Sequence, residues 1–339
     1  VAEPGEHIAA GGASGDKPML SRRTVLAGAA ATLAAPLVKA ATPLPEMLRI
    51  VMPFPAGGAL DGLTRIFADT YQKVTGRTCI VDNRPGAATT IGAAEVSRAK
   101  PDGSVVLWTT GGHLTNGVLM KKLPYHPIEG FTPLSMVYTT YGFALLHRAN
   151  GPFHSLADFI AAAKKQPGRF SYASAGNGNT THVVGALFAK QAGIELIHVP
   201  YKGTPLTDLI SGVVDVSFIA PSSVMQYIDA GKIRALAITG TQRADTLPNV
   251  PTFAELGMPD IDIPAWIGML APPNMSPDVL AALYAGVSKT LADPGFKARM
   301  VTFGNQVSGM PPQQFKAYLE KEFARYQRIL PPLGIEMDS

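Results

Sequence analysis

The chain has 339 residues, 46% of them hydrophobic and only 16% charged, enough apolar material for a large core and length enough for two domains. Its 29 basic and 25 acidic residues leave a net charge of +4, spread without a basic run or an aromatic-interleaved patch, so a nucleic-acid partner is excluded. The single cysteine, Cys79, excludes an intramolecular disulfide and a thiolate zinc cluster, and its strand-like setting reads as that of a small buried hydrophobe.

Near the N-terminus, Arg22 and Arg23 precede an apolar run over 25–38, and Val38-Lys39-Ala40 offers small residues for cleavage. This is the pattern of a twin-arginine export signal. The run is too short and too rich in alanine to span a bilayer, which needs ~20 apolar residues. Residues 1–40 are therefore expected to be a leader cleaved near Ala40, with Met19 as the true start and the mature product in the periplasm.

Beyond Pro45 the pattern predicts a strand over 48–52 and a helix over Ala59–Thr75. That helix carries Leu60, Leu63, Phe67, Tyr71 and Val74 on one face and Gly76 at its end. A strand over 78–81, a helix over 89–99 and a strand over 105–109 complete a βαβαβ unit, the mark of a parallel sheet wrapped by helices. The pattern restarts past Asn150, where Ser155 and Asp158 have capping-box spacing and Pro167-Gly168 stops the helix. Strands over 170–173, 197–199, 216–218 and 234–239 alternate with helices over 181–192, 205–211 and 224–230. A strand over Trp266–Ala271 follows, then helices over Pro277–Ala292, 295–303 and 312–330. The last helix carries a stripe of Phe315, Tyr318, Leu319, Phe323, Tyr326 and Leu330, expected to dock on the chain's own core. The fold class read from this series is α/β with two lobes. Residues 44–140 plus 240–339 form the first and 141–239 the second, with crossings near 138–143 and 239–241 and a ligand cleft between the lobes.

Two glycine-bearing strand-to-helix loops are the main candidate site. Phe54, Pro55, Ala56, Gly57, Gly58 and Asp61 stand before the first helix, where glycines bring N–H groups close to a ligand and the helix start adds unpaired donors and a positive dipole end. Such a place holds a carboxylate without any lysine or arginine. A plain turn, with Asp61 satisfying first-turn N–H groups, accounts for the segment equally well. The second lobe repeats the device, with Gly176 and Gly178 freeing the backbone and Ser174, Asn177, Thr180 and Thr181 adding donors. His182 reads as a structural hydrogen-bonder. Gly112 and His113, after the third strand, join the candidate set, as do Tyr201 and Ser222. Lys202 is either an anion attractor at the cleft mouth or a solvated surface lysine.

Enzymatic readings fail on the same residues. Gly176-Asn177-Gly178 matches a dinucleotide loop only loosely, because Thr181 stands at the third position. A nucleophile elbow needs glycine two residues before Ser174, where Tyr172 stands. Lys202-Gly203-Thr204 lacks P-loop order, and the seven histidines lack metal-ligand spacing. No enzyme activity, cofactor or metal is expected.

In sequence, Val51-Met52-Pro53-Phe54-Pro55-Ala56-Gly57-Gly58 with Asp61, Asn83-Arg84-Pro85-Gly86-Ala87 and Lys100-Pro101-Asp102-Gly103 form an ordered motif series. It continues with Leu123-Pro124-Tyr125, Phe131-Thr132-Pro133, His198-Val199-Pro200-Tyr201-Lys202-Gly203, Leu236-Ala237-Ile238-Thr239 and Leu247-Pro248-Asn249-Val250-Pro251-Thr252. The series resembles the Bug family, the extracytoplasmic solute receptors of tripartite tricarboxylate transporters, over residues 48–330. The resemblance implies a type II (Venus-flytrap) periplasmic binding fold, closing by a hinge over a small organic carboxylate. It also implies a monomer that hands its ligand to the transporter's membrane subunits. By the same resemblance the carboxylate is held by backbone and water contacts at residues 54–61, with residues 174–182 opposite.

Three departures stand out. Ala88 and Thr89 replace the family's Gly-Gly after Pro-Gly-Ala, which puts close backbone approach at that loop in doubt. Gly117 replaces a proline after Asn116. Ile219 replaces an aspartate after Phe218, which removes a partner for a ligand amine and favours a simple or partly apolar carboxylate. Two other function classes remain: a receptor presenting its ligand to a membrane sensor kinase, and a cofactor-bearing periplasmic oxidoreductase.

Overall fold

The computed structural model describes residues 43–335 with Met337, Gly11 and Gly12; the export signal, Met19 and the cleavage site at Ala40 lie outside the described residues. Among the described residues no helix is long and apolar enough to cross a membrane.

Two sheets organise the chain. The first has the order β11-β4-β10-β3-β1-β2, from β1 (Met47–Met52), β2 (Thr78–Asn83), β3 (Val105–Thr110), β4 (Thr132–Thr140), β10 (Trp266–Ala271) and β11 (Asn305–Met310). The second has the order β7-β6-β8-β5-β9, from β5 (Ala144–Arg148), β6 (Phe170–Ser174), β7 (Leu196–Pro200), β8 (Val216–Ile219) and β9 (Ile233–Ile238). The expected βαβ units are present, since β1 pairs parallel with β2 and β3, and β6 pairs parallel with β7 and β8. Each sheet is nevertheless mixed rather than purely parallel. Strand β10 runs antiparallel to β3 and β4, β4 antiparallel to β11, and β5 antiparallel to β8 and β9.

Helix α1 (Ala59–Thr75) buries Leu63, Phe67 and Tyr71 and ends where Gly76, at φ +74°, turns its N–H to the Gln72 carbonyl. Helices α2 (Thr90–Ser97) and α3 (Gly112–Leu119) complete the first βα series. In the second, α4 (Leu156–Lys165) starts on the Ser155/Asp158 capping box, and α5 (Thr180–Ala192), α6 (Leu206–Ser211) and α7 (Met225–Asp229) follow. Helices α8 (Pro277–Ala292), α9 (Pro294–Thr302) and α10 (Pro312–Ile329) return to the first sheet, and Phe315, Leu319, Tyr326 and Leu330 are fully buried there.

Four elements escaped the sequence pattern. Strand β4 is buried on both faces and so lacks alternation; the same holds for β5, and β11 is polar on an edge. Helix α3 is built on Gly112, Asn116 and Gly117, which are poor helix formers. Gly117 is needed for packing, since a Cβ there would lie 2.5 Å from the Pro127 ring and 2.9 Å from Phe323.

The chain passes between sheets at two adjoining places. The Phe143 N–H donates to Thr239 Oγ1 (2.9 Å) and the Thr239 N–H to the Phe143 carbonyl (3.0 Å). Gly142, at φ +97°, sits so close that a Cβ would come within 2.5 Å of the Thr239 carbonyl oxygen. Cys79 is half-buried on β2 rather than fully buried, and burial pushes its thiol up to about 12.

Candidate functional site

A cavity of ≈ 790 Å³ opens between the two sheets, where both glycine-bearing loops converge. The first loop contributes its whole expected set: Phe54, Pro55, Ala56, Gly57, Gly58 and Asp61 all line the cavity. Its two glycines differ. Gly57 takes φ +83°, whereas Gly58 is extended at φ −78°, ψ 168°, and caps α1 without any side-chain bond. The first helical bond joins the Gly62 N–H to the Gly58 carbonyl (3.0 Å), so the N–H groups of Ala59, Leu60 and Asp61 have no acceptor within the helix. The Asp61 carboxylate folds back to accept from the Gly57 N–H, Arg65 Nε and Asn83 Nδ2, each at 3.0 Å. Partial burial opposes its ionisation, but these three bonds together hold its carboxyl below the usual carboxylate range.

The second loop brings Thr180 and Thr181 to the cavity, and Ser222 lines it from the turn after β8. A side chain at Gly111 would meet Thr180 Oγ1 at 3.5 Å and Trp266 Nε1 at 3.6 Å, so the two sheets approach closely at this point. Trp266 is 2% exposed, and its indole N–H has no hydrogen-bond partner among the described residues.

Five expected residues lie outside the lining. Gly112 and His113 sit within α3; His113 is buried, bonds the Pro127 carbonyl through Nε2 (2.8 Å), stacks on Tyr125, and is pushed by burial down to about 4. Ser174 is fully buried and joins His198 Nε2 (2.7 Å). Tyr201 donates to Asp208 Oδ2 (2.6 Å), and that bond, with some burial, pushes its phenol up to about 12. Asn177 faces a separate groove of ≈ 490 Å³ with Tyr172, His182 and the segment 333–335. In each case a residue one or two positions away lines the cavity: Thr110 and Gly111, Ala175, Asn179, and Lys202 with Gly203 and Thr204. Asn179 was recoverable as an N-cap residue before a helix, and its Oδ1 does accept from the Thr181 N–H (3.1 Å).

The rest of the lining is apolar or neutral: Leu63, Ile66, Phe143, Phe218, Ile219 and Phe303 add hydrocarbon, and Tyr138 and Asn305 add buried polar groups. No local signal marks Trp266, Tyr138 or Asn305, which are gathered only by the pairing of β4, β10 and β11. Among the described lining residues Lys202 is the one cation and Asp61 the one carboxylate. No group of histidine, cysteine or carboxylate side chains among the described residues has metal-site geometry.

Ala87, Ala88 and Thr89 all take positive φ (43°, 49° and 78°), so the loop keeps a left-handed path without the glycines. Asn116 Nδ2 donates to the Ala88 carbonyl (2.7 Å) and fixes that path to α3.

The model of the tripartite tricarboxylate transporter family receptor matches residues 63–335. A protein from the tcbD-tcbE intergenic region of Pseudomonas sp. (strain P51) is 32% identical over 322 residues, covering 93% of this chain and 95% of that one. BugT of Bordetella pertussis is 30% identical over 313 residues, covering 91% and 95%. Among solved structures, the periplasmic binding protein BugD is 31% identical with TM-score 0.79, covering 87% of this chain and all of that one. Rpa4515 of R. palustris with adipate is 29% identical with TM-score 0.79, covering 86% and 98%. MatC of Rhodopseudomonas palustris with bound malate is 27% identical with TM-score 0.77, covering 84% and 98%. The expected two-lobed α/β binding-protein fold is thereby established, in a lineage of solute receptors rather than enzymes. The chain belongs to the receptor family of tripartite tricarboxylate transporters, the Bug family whose motifs it carries.

Proposed function

We propose that this receptor captures a small organic carboxylate in the cavity between its sheets, in the periplasm, and hands it as a monomer to the membrane subunits of a tripartite tricarboxylate transporter. The observation that carries the reading is the convergence of two helix starts, α1 and α5, on one cavity. Free N–H groups at Ala59 and Leu60 and the Thr180 hydroxyl are donors for one carboxylate, supplied without a buried cation. Malate and adipate, bound by two structural relatives, are both carboxylates. The lobes are 44–140 plus 240–339 and 141–239, and they close about the paired crossings at Phe143 and Thr239.

A thermal-shift panel tests the reading. A carboxylate at 100 times its dissociation constant adds ~2.7 kcal/mol of stability, and the matching amide at equal concentration adds far less. A panel of mono-, di- and tricarboxylates in which none raises Tm would overturn it.

A further inference from the structure

We propose that the segment after α10 is a strap that holds the second cavity loop in its ligand-binding form, with Met337, bridged to Met120 and packed on Gly178, as its positioning residue. The effect on affinity rests on the proposed carboxylate reading of the cavity.

The chain makes this contact by crossing from the helices of one sheet to those of the other. Helix α10 packs beside α3, where Phe323 stands 2.9 Å from the position a Cβ of Gly117 would take. Beyond Leu330 the chain turns onto α5 of the second sheet. There the Lys190 ammonium donates to the Pro332 carbonyl (3.4 Å), and Leu333 and Ile335 share a groove with His182 and Ala189. Met337 is 5% exposed and forms a parallel bridge with Met120, the residue that ends α3. Its side chain fills the space over Gly178: a Cβ on that glycine would overlap the Met337 sulfur.

Gly178 is thereby held from three directions. Its N–H donates to His182 Nδ1 (3.1 Å), its carbonyl accepts from the fully buried Thr115 Oγ1 of α3 (2.8 Å), and Met337 covers its Cα. The left-handed angle of Gly178, φ +67°, sets the turn, and its missing Cβ admits the thioether. Methionine suits the place, because an unbranched thioether fills an irregular gap over bare backbone. The next three residues, Asn179, Thr180 and Thr181, line the cavity, whereas Gly178, Thr115 and Met337 do not. Releasing Gly178 therefore loosens the wall that a ligand meets without altering any residue of that wall. A loop ordered before the ligand arrives loses less entropy on binding, so the strap supports affinity from outside the cavity.

Hydrogen exchange and calorimetry on the full chain test this, with the acids of the thermal-shift panel, adipate and malate among them, as probes. In ligand-free protein, Met337→Ala should speed exchange of the hydrogen-bonded amides of Gly178, Asn179 and His182 by about tenfold, while the amides of β1 and β3 keep their wild-type protection. Met337→Leu, close in volume, should keep most of the loop's protection. An acid that binds wild type should bind Met337→Ala about tenfold more weakly and Met337→Leu within about twofold. Thr115→Val should act in the same direction, and the double variant should lose less than the sum of the two. The strap is overturned if loop exchange in Met337→Ala stays at the wild-type rate, or if exchange rises equally at β1 and β3, which marks a general loss of stability. A local rise with unchanged affinity overturns the strap's role in binding and keeps the carboxylate reading. A wild type that binds no acid sinks that reading, while a local rise in exchange still carries the strap and its absence still overturns it.

Discussion

The two loops at the cavity solve one problem in opposite ways. Residues 53–61 present backbone: no side chain caps α1, the one nearby carboxylate is turned back on Gly57 and Asn83, and the glycines stand open. Residues 174–182 are held by side chains. The Ala175 N–H donates to Thr181 Oγ1 (2.9 Å), the Thr181 hydroxyl donates to Asn179 Oδ1 (3.2 Å), and the Gly178 N–H donates to His182 Nδ1 (3.1 Å). His182 stacks on His198 at 3.6 Å between ring centroids. The contrast teaches that equal glycine content hides unequal work. The first loop leaves the helix-start N–H groups without acceptors in the helix, and the second spends most of its polar groups on its own shape.

The sharpest way to break the comparison is Gly58→Val. Gly58 is already extended, and a Cβ there meets only the Pro55 carbonyl at 3.9 Å, so the fold tolerates the change. The branched side chain would stand over the α1 start, and carboxylate affinity should fall by at least about 1000-fold, or about 4 kcal/mol, by calorimetry. Normal binding in a folded variant would remove the first loop from the mechanism.

Acid should act on the second loop instead. Burial pushes His182 and His198 down to about 4, with His198 also opposing a proton on His182. Folded-state values below the unfolded value of about 6.5 mean full stability above pH 6.5, lost as pH falls towards 4. The pair should contribute about 2–4 kcal/mol of that loss. Denaturant titrations comparing wild type with His198→Gln would show it, and parallel pH profiles would refute it.

Thr181→Val comes next. It strips the Ala175 N–H of its acceptor, so global stability should drop by about 1–3 kcal/mol, with affinity following because the loop loses its form. Unchanged Tm with weakened binding would instead make the Thr181 hydroxyl a direct ligand contact.

Lys202→Ala sharpens the contrast from outside. The side chain is exposed and on the cavity rim, so affinity should change by less than about threefold at physiological salt, and the change should fade as salt rises. A large, salt-insensitive loss would shift the anion from helix ends to a side-chain charge.

What the sequence disclosed follows from range. The βα units are local, with amphipathic helices such as α1 closed by their own glycine, and they were readable residue by residue. The first loop's place on the cavity was readable because it needs only glycine and a helix start after a strand. The lining of the second loop was displaced by one or two residues, because Ser174 turns away into an internal bond and Asn177 faces a separate groove, neither of which a one-dimensional pattern records. Trp266, Tyr138 and Asn305 lie far apart in the chain and meet only because β4, β10 and β11 are neighbours. The Gly-Gly departure at 88–89 changes the residues and leaves a left-handed loop path in place. Non-glycine residues can hold left-handed angles when a buried amide such as Asn116 ties the loop down.

The paired crossings at Phe143 and Thr239 also set an order of assembly. The second sheet draws all its strands from Ala144 to Ile238, so it can close once that stretch is available. The first cannot close then, because β3 must wait for β10, more than 150 residues later, and β4 for β11. On a growing or refolding chain, the inserted sheet is the early, fast-forming unit and the surrounding one is the slow step. Until the C-terminal helices arrive, the hydrophobic floor of β1 to β4 stands open, and that half-built lobe is where misfolding and capture by chaperones should concentrate.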